Sequence, residues 1–311
     1  MSVSGRVAFR DELAKLAAED SRVLCLEADL GGAKHPFEKA YPERFMNIGI
    51  SELAGIDLAG GLAATGFVPF FSTFAPFAAL RAAESLKLTL GYMDLNVKVV
   101  APYAGVSGGW FGTSHHCLED LAIVQSFPGI TIAAPYGERE TREVIRRAAR
   151  ADGPFYIRMG RNDAFASLEA EAPSTSGQLL WHRKPRAEPK AEAARIALVS
   201  VGERGTELAV RAVEQDPLLA HAHLTYLDHA SLKLASAELG AEFDRLIVIE
   251  EHRPTGGVAS SLALLLPRAQ VLGVNCGMAW STHGGNQADV LSELGFTAEA
   301  LQKTIHELRN Q

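Results

Sequence analysis

The stretch Tyr41–Phe77, YPERFMNIGISELAGIDLAGGLAATGFVPFFSTFAPF, decides how this chain is read. Between Ile48 and Phe77 its only ionisable side chains are Glu52 and Asp57, in a segment that is otherwise apolar and glycine-rich. Gly49, Gly55, Gly60, Gly61 and Gly66 let backbones approach closely there. A carboxylate in such surroundings is a candidate for chemistry. The competing structural reading makes Ser51 a helix cap and Glu52 a residue that favours the helix's positive end.

Outward from this stretch, strand and helix patterns alternate. Val7–Ala18 has apolar residues at helical spacing, and VLCLEA at Val23–Ala28 is a short strand running into the loop DLGGAKHPF, at a strand end where α/β sheets place ligands. A helix over Ala75–Thr89, strands at Val97–Ala101 and Ile130–Ala134, a helix at Glu138–Arg150 and a strand at Phe155–Met159 complete the series. They predict a doubly wound parallel sheet. The loop Pro102–Thr113, PYAGVSGGWFGT, leads into SHHCLEDLAIVQSF, helical from Glu119. Structureless loops of this length are usually functional.

From Ala164 to Ala194 the composition shifts to Ala, Glu, Pro, Ser and Lys, which predicts a surface linker carrying one short strand at Gln178–His182. A second series follows: strand Ile196–Val201, helix Gly205–Gln215, strands His223–Leu227 and Leu246–Glu250, helix Gly257–Leu266, strand Gln270–Val274, and two short helices within Gln287–Arg309. The expected fold class is α/β, with two doubly wound domains and a mixed sheet in the second. Their expected extents are 1–165 and 195–311, with a linker over 166–194.

A length of 311 residues also favours two domains. With 47% hydrophobic and 22% charged residues the composition is that of a globular chain. The net charge of -7 offers no footprint for nucleic acid or an anionic membrane surface. The N-terminus lacks the uninterrupted apolar core of a signal peptide, and Asp57 and glycines break the longest apolar stretch. The cysteines, Cys25, Cys117 and Cys276, are odd in number and lack metal-ligand spacing. A cytoplasmic enzyme is expected.

Three smaller constellations carry weaker signals. Gly202-Glu203-Arg204-Gly205 follows a strand but lacks the full dinucleotide-binding fingerprint. His221 and His223 share one face of a strand; with no neighbouring carboxylate or cysteine they are expected to face solvent rather than a metal. Of His115 and His116, which close the long loop, at least one is expected to face a cleft.

Four segments carry a family resemblance. GISE at Gly49–Glu52, AGGLAATGFVPFFSTF at Ala59–Phe74, GTSHHCLEDLAIVQSFPGITIAAP at Gly112–Pro135 and EEHRPTGGVAS at Glu250–Ser260 resemble the pyrimidine-binding and C-terminal domains of transketolases, in the same order and over nearly the whole chain. The resemblance implies thiamine diphosphate as cofactor. It makes Glu52 the glutamate that hydrogen-bonds the aminopyrimidine, in a dry pocket suited to sharing a proton. Phe77 would stack on that ring and Phe74 would stand beside it. His115 would hydrogen-bond the donor ketose near its reacting carbonyl, and Arg161, with Arg158 close by, would bind phosphate. Tyr103 aligns with a phosphate-binding histidine of the family, and Phe111 stands where an acidic residue usually reads substrate hydroxyls. With Trp110 beside it, Phe111 makes the acceptor channel more apolar.

The family's diphosphate-binding domain, with its GDG motif, has no counterpart here. The resemblance is therefore to the small subunit of a split transketolase, inactive alone, whose partner would supply the ligands of Mg2+ and the cofactor tail. It implies a dimeric core of this chain with two partner chains, a heterotetramer, acting on a sugar phosphate donor. The β subunit of a 2-oxo acid dehydrogenase, half of a 1-deoxyxylulose 5-phosphate synthase-like enzyme and a noncatalytic stabilising subunit remain open alternatives.

Overall fold

VPFFS at Val68–Ser72 is buried at every position, as a strand covered on both faces by helices must be. In the computed structural model it is β3 of a six-stranded sheet with β1 (Val23–Glu27), β2 (Phe45–Asn47), β4 (Lys98–Ala101), β5 (Thr131–Ala133) and β6 (Phe155–Arg158). The order is β2-β1-β3-β4-β6-β5 and every pairing is parallel. The structure describes residues 3–30, 35–162, 174–176, 179–184 and 196–310. Most of the expected linker lies outside them.

A second sheet contains β7 (Ser174–Ser176), β8 (Leu179–Arg183), β9 (Ile196–Val201), β10 (Ala220–Leu224), β11 (Arg245–Glu250) and β12 (Gln270–Val274). Its order is β12-β11-β9-β10-β8-β7, parallel through β10 and antiparallel at β8 and β7. The fold is thus α/β with two sheets, the second mixed. Helices α1 (Gly5–Glu19), α2 (Pro36–Ala40), α3 (Glu52–Ala64), α4 (Ala83–Ser85), α5 (Asp120–Val124) and α6 (Gly137–Arg150) accompany the first sheet. No helix among the described residues is long and apolar enough to cross a membrane.

Several local expectations change. The helix expected over Ala75–Thr89 is α4 flanked by wide π-type turns, Phe77–Arg81 and Leu86–Tyr92. A helix at His229–Glu242, capped by Asp228 through Ser231 N, went unforeseen because its alternating small and apolar residues, HASLKLASAELGAE, show little face contrast. The strand expected at His223–Leu227 is β10, three residues earlier in the chain. Lys98 is wholly buried in β4 and donates to the carbonyls of Ala151 (2.9 Å) and Gly153 (2.5 Å), closing the turn after α6.

The two sheets meet across a polar seam. Ala134 N donates to Thr225 O and Leu227 N to Ile132 O, each at 2.8 Å. His221 and His223 are completely buried in this seam, the reverse of the solvent-facing expectation. His221 hydrogen-bonds Ser200 at 2.8 Å and stacks on His182, whose Nε2 is 2.7 Å from the Tyr136 hydroxyl. His223 lies 3.3 Å from the Glu140 carboxylate.

Burial, and then the neighbouring His223, push the His182 pKa down to about 4, and burial pushes His221 well below the ordinary histidine range. Both are held neutral when folded and regain their affinity for protons on unfolding. The unfolded state therefore binds more protons below about pH 6.5, and their contribution to stability is complete above that pH and lost as pH falls towards 4. Urea midpoints are expected to drop between pH 7 and 5, with a shallower drop in His182→Gln; parallel profiles would refute the assignment.

Candidate active site

Glu52 is the first residue of α3, and Ser51 occupies the cap position without making a side-chain capping bond. The bland reading of a capped helix end therefore does not describe it. Its carboxylate is 2% exposed, and both oxygens accept from Nη1 of Arg81 at 2.9 Å. Arg81 follows Phe77 by four residues in the first π-type turn, and its guanidinium lies 4.2 Å over the Phe77 ring.

The other walls come from the carboxyl ends of neighbouring strands, the edge where such sheets bind ligands. Phe74 follows β3 and Tyr103 follows β4, and their ring centroids are 4.2 Å apart. His115 stands edge-on to Phe77 at 5.2 Å and stacks on Phe111 at 4.6 Å. After β6, Arg161 donates from Nε to the Tyr103 hydroxyl at 2.6 Å, and its guanidinium covers Trp110 at 4.1 Å. The partners of Arg161 here are a phenol and an indole, so its charge stays available to an anion.

Glu52, Phe74, Phe77, Tyr103, Phe111, His115 and Arg161 are thus brought together. Arg158 is not. Three residues from Arg161 and 4% exposed, it points to the opposite side, where Nε donates to Asp120 at 2.8 Å and Nη2 to Glu251 O at 2.8 Å. Arg158, grouped with Arg161 as a phosphate-binding candidate, is committed to an internal ion pair, and of the two only Arg161 lies beside Tyr103 and Trp110. Arg81 was missed: no sequence pattern joins it to a glutamate 29 residues earlier, although its i+4 spacing from Phe77 placed it on the same face.

The loop that carries Phe111 and His115 is fixed by the second domain. Gly105 and Cys117 exchange backbone bonds of 2.9 and 2.7 Å, and Val106 N donates to the Glu251 carboxylate at 2.7 Å. Gly105 has φ +64, and a Cβ there would lie 2.2 Å from that carboxyl group. The rest of EEHRPTGG continues the clamp. Glu250 caps the helix Val258–Leu265 through Val258 N (2.7 Å) and Ala259 N (3.0 Å), Arg253 pairs with Glu119 at 3.2 Å, and Gly256 packs on Ala122. Gly256 and Gly257 thus serve close packing, against Ala122 and the Glu250 carboxylate.

Of the two adjacent histidines, His116 is buried, with Nε2 3.2 Å from Gly109 O and Nδ1 3.3 Å from the Ser281 hydroxyl. His115 faces the aromatic cleft. Burial, and then the charge of Arg81, lower its pKa, so it presents a neutral imidazole at pH 7. Tyr103 sits at φ +66, a left-handed conformation uncommon for a bulky residue.

The cleft combines a carboxylate shielded from water, an aromatic face already carrying a planar nitrogen cation, a neutral imidazole and an arginine. These groups suit a flat, nitrogen-bearing ring with an anionic substrate beside it. They fit the aminopyrimidine of thiamine diphosphate, since Arg81 shows that a planar N–H donor stacked on Phe77 reaches Glu52. Among the described residues no group of three or more His, Cys, Asp or Glu could hold a metal ion.

Comparison with known proteins agrees. The profile of the transketolase pyrimidine binding domain matches residues 1–165. A Methanocaldococcus jannaschii protein described as a transketolase C-terminal section is 30% identical over 97% of this chain and 95% of its own length. One of the subunits of the apulose-4-phosphate transketolase of Phocaeicola vulgatus is 26% identical, over 98% of this chain and 97% of its own. The solved structure of a split gene transketolase, an inactive beta4 tetramer, superposes with a TM-score of 0.82 at 27% identity, covering 100% of this chain and 99% of that one. With a matching domain profile, full-length relatives and the same two-sheet fold, the chain belongs to the transketolase family.

Proposed function

We propose that this chain is the pyrimidine-binding subunit of a split transketolase, moving a two-carbon ketol unit from a phosphorylated ketose to an aldehyde acceptor once a diphosphate-binding subunit completes the site. The observation that carries the reading is Glu52, buried beside Phe77 in a cleft closed by His115 and Arg161. When bound, thiamine diphosphate would supply the nucleophilic carbon that ketol transfer needs. Glu52 would share a proton with a ring nitrogen of the aminopyrimidine, Phe77 would carry that ring on its face, and Phe74 would limit its tilt. His115, as the neutral imidazole, would hydrogen-bond the reacting carbonyl of the donor. Arg161, oriented by Tyr103, would take the donor phosphate. The ligands of Mg2+ and the cofactor diphosphate would come from the partner.

An apolar rim supports a partner. Ile50 (72% exposed), Leu53, Leu80, Trp110 and Trp280 (66%) leave large side chains open to water, and Trp110 belongs to the cleft itself. We place the working enzyme in the cytoplasm, consistent with three free, buried cysteines, as a heterotetramer built on a dimer of this chain. Thiamine diphosphate binding by the chain co-purified with a diphosphate-binding transketolase subunit, followed by donor cleavage, tests the proposal. Absence of both would end it.

The acceptor is expected to differ from an ordinary aldose phosphate. Trp110 and Phe111 line its approach and offer no oxygen to a sugar hydroxyl, which costs free energy when such a hydroxyl is buried. Rates across an acceptor panel should favour aldehydes with fewer free hydroxyls or with modified ends. A clear preference for ribose 5-phosphate would count against this.

A further inference from the structure

We propose that Arg81 is an internal stand-in for the cofactor's aminopyrimidine: it fills the place between Glu52 and Phe77 in the cofactor-free chain and leaves when the ring enters. This inference rests on the functional reading above and goes beyond it. No feature of that reading calls for an arginine at this point. The guanidinium is planar and delocalised, lies 4.2 Å over the Phe77 face, and bonds both Glu52 oxygens at 2.9 Å. A flat ring that stacked on the same face while hydrogen-bonding the same carboxylate would have to occupy the same volume.

The two partners differ in what separation would do to them. The Arg81 side chain is 49% exposed and can swing into water without unpacking a core. Glu52 is 2% exposed and would be left charged and unpartnered. Departure of Arg81 is therefore tied to arrival of another donor. Arg81 also ends the π-type turn Phe77–Arg81, where Ala82 N reaches back to Phe77 O at 3.1 Å. Such widened turns recur at functional sites. Loading becomes an exchange of donors at Glu52, and the apparent affinity for the ring is reduced by the fraction of chains in which Arg81 holds its place.

The test uses the full chain and 4-amino-2-methylpyrimidine as probe, with calorimetric titration as readout. Arg81→Ala should bind the probe about tenfold more tightly than the unsubstituted chain, or better. Arg81→Ser, which likewise leaves the Phe77 face open, provides the same comparison if the alanine variant folds poorly. Adding Glu52→Gln to either should abolish the gain. Equal or weaker probe binding by both variants overturns the proposal. Thiamine diphosphate titrated into the chain paired with a diphosphate-binding subunit separates the two readings. If the unsubstituted pair does not bind it while Arg81→Ala still gains affinity for the probe, the enzyme assignment fails and the stand-in survives. If the pair binds it with the same affinity with and without Arg81, the stand-in fails and the enzyme assignment survives.

Discussion

Glu52→Gln is expected to lower turnover of the reconstituted enzyme on the order of 10²-fold or more, the usual scale for loss of an acid-base group. The substitution keeps the size of the side chain and leaves an oxygen that still accepts from Arg81. What it removes is the ability to share a proton with a ring nitrogen. The cost to the fold should be small, because the partner left without a counter-charge is Arg81, whose side chain is 49% exposed and can turn to water. Cofactor affinity should change far less than turnover, since the stacking proposed for Phe77 would be untouched. Steady-state rates beside a thermal melt make the check. Retained turnover would remove Glu52 from catalysis, whereas a lost melting transition would show that its role is structural.

How much of this site could be read from the sequence depended on whether a residue's role is set locally. Phe74 and Phe77 belong to one short motif, and His115 ends one glycine-rich loop, so the family resemblance could single out all three, and the structure brings their rings together. Tyr103 and Arg161 were found singly, but their 2.6 Å contact joins two strand ends 58 residues apart and no spacing announces it. Arg81 stayed hidden for the same reason, its partner lying across a turn whose π-type geometry shifts the helical register. The buried histidines show the opposite failure. Alternation on β10 correctly put His221 and His223 on one face, but exposure was decided by tertiary contacts: Tyr136 and Glu140, at the start of α6, cover His223, and His182 of β8 stacks on His221.

Arg158 is the instructive mistake, and it sets the second large effect. It looked like a partner of Arg161, yet it forms an ion pair with Asp120 at 2.8 Å, the two side chains being 4% and 0% exposed. Burial by itself would lower the pKa of the guanidinium; Asp120 and then Glu251 outweigh it and raise the pKa, so the charge persists inside the protein. Asp120→Ala would strand that charge, and losing one partner of a buried pair typically costs about 3–5 kcal/mol. The loss should also reach the cleft. Arg158 holds Glu251 O at 2.8 Å, and the Glu251 carboxylate holds Val106 N in the loop that carries Phe111 and His115. Replacing both partners by apolar residues, Asp120→Leu with Arg158→Met, should recover much of the stability because neither member of the pair is left as an unpaired buried charge. That double variant should not recover the loop's anchor to Glu251, so substrate affinity should stay weakened while the urea midpoint returns. If Asp120→Ala costs less than about 1 kcal/mol, the low end of what an unpaired buried polar group costs, the pair is not the pin between the domains that its burial implies.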